Sequence, residues 1–113
     1  MNKYGARRTW SEICQREFAS KKECLRAEEL TLLGKAGEIK DLVFQHRFDL
    51  CEKPRITITI DFSYRERMGD DGYGQGVFSP LITFEDSKGM LTRDTRTKLA
   101  WLKEKYGVDV VLS

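Results

Sequence analysis

The sequence is poor in the residues that form metal or disulfide scaffolds. Its 113 residues include one histidine, two prolines and three cysteines, which are Cys14, Cys24 and Cys51. The cysteines are an odd number, widely spaced, with no CxxC or Cys/His pattern, so neither a structural zinc site nor a disulfide framework is expected. Reduced thiols in a cytoplasmic protein are the simplest interpretation.

Long apolar runs are also missing. The longest mainly apolar stretches, such as 99–102 and 108–112 with its single Asp109, are far shorter than the about 20 apolar residues that a transmembrane helix requires. Residues 1–10 are basic but precede no apolar stretch, so we do not expect a secretory signal. The length predicts one domain over 1–113, with 1–10 as a basic N-terminal arm.

Charge is unevenly distributed although the net charge is only +2. Residues 1–40 hold nine basic and six acidic residues, 41–86 hold five basic and nine acidic, and 87–107 hold six basic and two acidic. An acidic middle between basic segments suits a carboxylate metal centre framed by cations that hold a polyanion. A well-mixed solvated surface accounts for the same distribution.

The N-terminal third predicts a short hairpin followed by a helix. Residues 9–18 alternate loosely. Ser20 is a good N-cap, and Glu23 stands where a capping box places an acid. Gly34 or Gly37 ends the helix. Its apolar stripe is Cys24, Ala27, Leu30 and Leu33, widened by Leu25 and Leu32.

The remaining chain predicts strands over 41–50, 55–65, 81–88 and 108–112, with a helix over 94–106 that ends at Gly107. The glycine-rich segment 66–76 predicts a hairpin connection or a mobile loop. We expect Leu99, Leu102, Tyr106 and Trp101 to face the core, and Trp10 to lie in the core or a dimer contact. The fold class is therefore α/β, a mixed central β-sheet flanked by helices.

Four residues point to chemistry, and they are Glu23 at the start of the first helix and Asp61, Asp86 and Lys88 in the sheet. Asp61 interrupts a strand of Ile and Thr, where a buried carboxylate needs a compensating partner. Asp86 and Lys88 are two apart on a strand and share a face. If the two strands pair, Asp61 approaches Asp86, and two carboxylates suit Mg²⁺ or Mn²⁺. Because Asp61 lies on the polar side of its strand and Asp86 continues an apolar side, we expect a twist or bulge to bring them together.

The order of three short motifs resembles a known nuclease core. SKKE at 20–23, IDF at 60–62 and EDSKG at 85–89 resemble the PD…(D/E)xK superfamily, especially small phage endonucleases that resolve Holliday junctions and a related family of short phage proteins. The resemblance covers about residues 18–107. Ile60 replaces the proline of the family pattern, and Asp86 replaces the commoner glutamate.

The resemblance implies a restriction-endonuclease-like core and a Mg²⁺- or Mn²⁺-dependent endonuclease acting on branched DNA as a homodimer in the host cytoplasm. It implies that Asp61, Asp86 and Glu23 ligate the metal and that Lys88 is the catalytic lysine, a point charge beside the phosphate. Glu85 competes with Asp86 as ligand. Gln45 has a counterpart in the phage family and is a possible additional site residue.

Structural roles explain the same residues. Glu23 is also a capping residue, Asp61 could pair with an arginine such as Arg47, and Asp86 with Lys88 could be an ordinary edge-strand pair. His46 is more typical of a packed or solvent-facing histidine than of a general base, and Gln45 of a plain polar strand residue.

Cations near these motifs are candidates for contacts with the DNA backbone, which position a duplex without reading its sequence. They are Lys21, Lys22, Arg26, Arg93, Arg96, Lys98, Arg7 and Arg8, with Lys3 in the same arm. No base-reading helix or zinc finger is predicted, so we expect recognition of DNA shape. A nicking or site-specific nuclease, or a non-catalytic nucleic-acid-binding or assembly module, remains the alternative.

Overall fold

The computed structural model describes residues 7–87 and 91–113. Lys88 and Lys3, for which roles are predicted above, lie outside these residues. The elements are β1 (Thr9–Ser11), β2 (Arg16–Phe18), α1 (Lys21–Lys35), β3 (Ile39–Cys51), β4 (Ile56–Asp70), β5 (Gly76–Phe78), β6 (Thr83–Asp86), α2 (Arg93–Tyr106) and β7 (Val110–Leu112). The predicted α/β class with a mixed sheet is confirmed.

The chain divides into two compact units. The first combines the residues up to Leu42 with Arg65–Leu81, and the second combines Val43–Tyr64 with Ile82–Ser113. The long strands β3 and β4 each contribute residues to both units. Neither helix of the described residues is long and apolar enough to cross a membrane.

The first unit begins with the predicted hairpin, in which β1 and β2 pair antiparallel from Thr9 opposite Phe18 to Ser11 opposite Arg16. Helix α1 packs against this hairpin. The fully buried Ser11 hydroxyl donates to Glu28 Oε2 at 2.7 Å. This bond satisfies a buried polar group and fixes the hairpin on the helix.

Helix α1 starts as the capping signal predicts. Ser20 Oγ accepts from the Glu23 backbone N–H at 3.1 Å, and Glu23 Oε2 accepts from the Ala19 N–H at 3.4 Å. The helix ends at Ala36, and Gly37 follows with a φ of +80°, a conformation that glycine adopts at little cost.

The width of the apolar stripe on α1 is predicted wrongly. Cys24, Ala27 and Leu30 are buried, but Leu25 and Leu32 are 55% and 51% exposed. A helix turns about 100° per residue, which places both leucines on the side opposite Ala27. Trp10 is 55% exposed, which excludes the core position, the first of its two predicted locations.

Cys24 is the buried thiol of this unit. Burial raises the pKa of Cys24 above its ordinary value of 9.0, and the nearby Glu28 and Cys14 raise it further. Its thiolate is therefore disfavoured in the folded protein. All three cysteines are free thiols, with Cys14 and Cys51 half-buried.

Strand β4 runs five residues further than its apolar alternation predicts. Its C-terminal part pairs antiparallel with β5, with Arg67 opposite Phe78 and Asp70 opposite Gly76. In the connecting turn, Asp71 Oδ1 accepts from the backbone N–H groups of Tyr73 and Gln75. The glycine-rich segment is thus a hairpin, one of its two predicted forms.

The second unit holds the strands in the order β3-β4-β6-β7. β6 is antiparallel to β4 and parallel to β7, and α2 connects the two parallel strands. Leu50, Ile58, Ile60 and Leu102 form the buried core, with partly buried Phe48, Ile56, Phe84, Leu99, Val108 and Val110 packed around it.

Helix α2 has well-formed ends. The Thr92 side chain accepts from the Thr95 N–H at 3.1 Å, and Gly107 in the left-handed conformation ends the helix as predicted. Leu102 is fully buried, whereas Trp101, predicted as core, is 36% exposed. Tyr106 is largely exposed and contacts the core at one edge, where its ring lies 5.4 Å from that of Phe48.

Candidate functional site

The register of β4 on β6 brings Asp61 beside Asp86. Ser63 lies opposite Phe84, and continuing this register by two residues places Asp61 opposite Asp86. Opposed residues of an antiparallel pair project from the same face of the sheet. The polar positions of β4 therefore share a face with the apolar positions of β6, and the predicted twist or bulge is not needed for the two acids to meet.

Two reciprocal hydrogen bonds join the strands at this point. The Asp61 backbone N–H donates to Asp86 Oδ1 at 2.8 Å, and the Ser87 backbone N–H donates to Asp61 Oδ2 at 2.9 Å. Both carboxylates are buried, at 8% and 1% exposure. Side-chain oxygens thus accept the backbone donors just beyond the last ladder pair of β4 and β6, in which Phe62 lies opposite Glu85. Each carboxylate is held at one oxygen by a rigid backbone group.

Glu85, the neighbour of Asp86, projects from the other face. It lies opposite Phe62, and its Oε1 accepts from the Tyr64 hydroxyl at 2.7 Å. Both partners are buried. Of the two adjacent acids, the contacts therefore favour Asp86 over Glu85 as the partner of Asp61 in a shared site.

The donor set at Asp61 and Asp86 suits a hard divalent cation. A carboxylate has about four lone-pair positions, so it can accept a hydrogen bond and ligate a metal at the same time. Mg²⁺ is commonly held by one or two carboxylates and retains several waters. Within residues 7–87 and 91–113, no group of three or more His, Cys, Asp and Glu residues forms a metal cluster.

Glu23 has a structural role in the first unit. Its carboxylate and backbone N–H both take part in the N-terminal capping of α1, and the side chain is buried. The capping role that the sequence predicts for Glu23 is confirmed.

His46 is a packed histidine, as expected. Its Nδ1 hydrogen-bonds with Ser63 Oγ at 3.1 Å, and its ring stacks on Phe48 with 4.7 Å between centroids. The same ring meets Phe84 edge-on. These contacts place His46 on the sheet face that carries Asp61 and Asp86.

Gln45 sits at an irregularity of β3. It has a φ of +59° and an exposed side chain. Phe44 packs edge-on against Phe62, whereas His46 bonds to Ser63, the next residue of β4. Residues two apart normally share a face, so the contacts and the positive φ together indicate a β-bulge at Gln45.

Sequence reasoning missed two groups that support the acids. Ser87 contributes only its backbone N–H, which any residue except proline supplies, so no side-chain signal marks it. Tyr64 is the one hydroxyl-bearing side chain on the apolar face of β4. A hydroxyl on an otherwise apolar face usually finds a hydrogen-bond partner when it is buried, so the position of Tyr64 could have predicted a bond to a buried acid.

Several predicted DNA-contacting cations take part in surface ion pairs. Arg8 lies 2.9 Å from Glu17, Arg26 lies 2.5 Å from Glu29, and Lys98 lies 3.4 Å from Asp94. Ion pairs at the surface contribute little energy. The other described candidates are exposed, and they are Arg7, Lys21, Lys22, Arg93 and Arg96.

Comparison with protein-family models, curated proteins and solved structures finds no match to this chain. The case for a function therefore depends on the chain's own residues, foremost on Asp61 and Asp86.

Proposed function

We propose that this protein is a metal-dependent DNA endonuclease, with Asp61 and Asp86 holding Mg²⁺ or Mn²⁺. The observation that supports this most is the pair of buried carboxylates cross-bonded at the meeting point of β4 and β6. Backbone N–H groups hold the two buried carboxylates at fixed positions on neighbouring strands, and one or two carboxylates are the usual protein ligands of Mg²⁺.

The chain's own groups would act through orientation and charge. Backbone N–H groups fix one oxygen of Asp61 and one of Asp86, so little ordering would remain when the carboxylates act as ligands. When bound, a divalent cation activates water and stabilises negative charge on a phosphate. Lys88 follows Asp86 by two residues in the sequence, and its ammonium would act as a fixed positive charge at the phosphate.

We infer branched DNA as the substrate class and a homodimer as the working form. Resolving a four-way junction requires two symmetric cuts, and each chain would carry one site. Exposed cations such as Arg93 and Arg96 on α2 would hold backbone phosphates without reading bases. This assignment rests on the resemblance of the motifs and on the paired acids. We infer a cytoplasmic location because branched DNA is found there.

A cleavage assay with matched substrates tests the proposal. The protein is incubated with a labelled four-way junction and a linear duplex of the same sequence, in Mg²⁺ or in chelator. Cutting is expected only with metal. We expect D61N, D86N and K88A each to lower the cleavage rate by about a hundredfold or more, which is at least the loss seen when residues that support the ligands of a metal are replaced. E104Q, an exposed charge loss on α2, is the control and should cut normally.

Other outcomes separate the alternatives. Binding of the junction without cutting in Mg²⁺ or Mn²⁺ would support a non-catalytic nucleic-acid-binding module. Equal cutting of junction and duplex would support the nuclease activity and contradict the selectivity for branched DNA. Unchanged cutting by D61N and D86N would contradict the assignment of the metal ligands.

A further inference from the structure

The second unit contains an open pocket at the start of β4. It has a volume of about 520 Å³ and is lined by Arg55 and Thr57 together with Asp94, Thr97, Lys98 and Trp101 of α2. The four helix residues are spaced at three, four and seven positions, so they lie on one helical face. This volume falls in the range of pockets that bind small organic groups.

Trp101 gives the pocket an aromatic wall. Its side chain is 36% exposed, although the sequence predicts a core position. A partly exposed indole presents a flat apolar surface to a ligand, and nucleobases stack on such surfaces irrespective of sequence.

The charges of the pocket favour an anion. Lys98 Nζ lies 3.4 Å from Asp94 Oδ2, so these two charges offset each other. Arg55 is exposed and makes no ion pair within the described ranges 7–87 and 91–113. A guanidinium is the side chain best shaped to bind a phosphate through paired hydrogen bonds.

We propose that this pocket binds one unstacked nucleotide of a DNA strand, with the base against Trp101 and a phosphate at Arg55 and Lys98. The inference deepens the proposed function, since it rests on DNA being the substrate and names the part of it that is bound. An unpaired nucleotide at a branch point has the exposed base that such a pocket needs. Binding of a nucleotide in this pocket does not require that the protein cleave DNA.

The first experiment uses Trp101 as its own reporter. The chain has two tryptophans, so the W10F variant leaves Trp101 as the only one. Titration in chelator with an oligothymidylate of about eight nucleotides, within the usual site size of single-strand binders, should quench its fluorescence saturably. W101F, in which Trp10 is the only reporter, should show little quenching.

The second experiment measures the binding of a fluorescently labelled oligothymidylate by anisotropy. W101L is expected to weaken binding about fivefold or more, the lower limit for one stacked base, whereas W101F should bind within about twofold of wild type. R55Q should reduce the slope of log K against log salt by about 0.7, as expected for one lost phosphate contact on a single strand. K103Q removes a lysine from the same helix outside the pocket and should leave this slope unchanged.

The other outcomes of these two experiments also test whether the pocket binds a nucleotide of a DNA strand. Equal binding by W101L and wild type, or no binding of the oligonucleotide by wild type, would overturn it. Thymidine monophosphate that binds as tightly as the oligonucleotide would show a free-nucleotide site and overturn the assignment to a strand. Binding that depends on Trp101 without any cleavage would overturn the proposed nuclease and leave this inference standing.

Discussion

Asp61 donates its backbone N–H to the side chain of Asp86, across 2.8 Å between two adjacent strands. The carboxylate of Asp61 in turn accepts from the residue after Asp86. The two acids therefore belong to one hydrogen-bonded unit, and a change at either has consequences for the other. This coupling makes stability measurements informative about the site, independently of any cleavage assay.

Replacing Asp61 by Asn should leave the metal-free protein as stable as wild type or more stable. The amide oxygen can still accept from the Ser87 N–H, and the substitution removes one of two buried like charges. Thermal unfolding in chelator tests this. Added Mg²⁺ should raise the melting temperature of wild type, because a ligand bound only by the folded state stabilises it, and should raise that of D61N much less.

The matched control for this measurement is E104Q, which removes one exposed negative charge from α2 and should respond to Mg²⁺ as wild type does. A loss of about 3 kcal/mol or more in metal-free D61N would contradict the prediction, since losses of that size are typical when a buried salt bridge is broken.

Replacing Tyr64 by Phe should lower the free energy of unfolding by about 1–3 kcal/mol, the cost of depriving a buried group of a hydrogen-bond donor. The Tyr64 hydroxyl donates to Glu85 Oε1 at 2.7 Å, and both residues are buried. Urea denaturation measures the change. Combined with E85A, which removes the acceptor, in a double-mutant cycle, Y64F should show coupling between the two positions, and additive effects would count against the bond.

Cys24 should be the slowest of the three cysteines to react with iodoacetamide. Burial raises the pKa of Cys24 above 9.0, and the thiolate is the reactive form. Its alkylation rate should still be rising above pH 9, which mass spectrometry of the labelled peptides can follow. Faster labelling of Cys24 than of the half-buried Cys14 and Cys51 at neutral pH would contradict this.

The same shift predicts how Cys24 affects stability. A thiol with a raised pKa in the folded state contributes its full stability below the ordinary value of 9.0, and this contribution decreases as the pH rises through the raised value. The free energy of unfolding of wild type, measured relative to C24A, should therefore fall on the alkaline side. An unchanged difference between the two proteins across that range would show that the thiol is not desolvated.

Local signals in the sequence were sufficient where a feature depends on neighbouring residues. The cap of Ser20 and Glu23 and the left-handed stop at Gly107 were predicted because each depends on adjacent backbone atoms. The strand around Asp61 was predicted because Ile, Thr and aromatic residues alternate there.

Features that depend on distant partners were missed. The strand state of residues 66–70 depends on β5, and these residues carry no apolar alternation. The exposure of Leu25, Leu32 and Trp101 depends on which side of each helix meets the rest of the protein, and helical periodicity alone does not show this.

The meeting of Asp61 and Asp86 was predicted, but its predicted cause was wrong. Alternation alone predicts that the apolar positions of two paired strands share a face. The register of Ser63 opposite Phe84 aligns a polar position with an apolar one, because His46 and Phe48 on the same face supply aromatic partners for Phe84. The sequence contains no direct record of this register.

The bulge at Gln45 makes one position of β3 tolerant of a change in length. A bulge is one extra residue, so the side chains before and after it face the directions they would have if Gln45 were absent. Deleting Gln45 should therefore leave the ring of His46 in contact with Ser63 and Phe84. Deleting a residue from a regular part of β3 would instead turn the side chains beyond it toward the opposite face of the sheet.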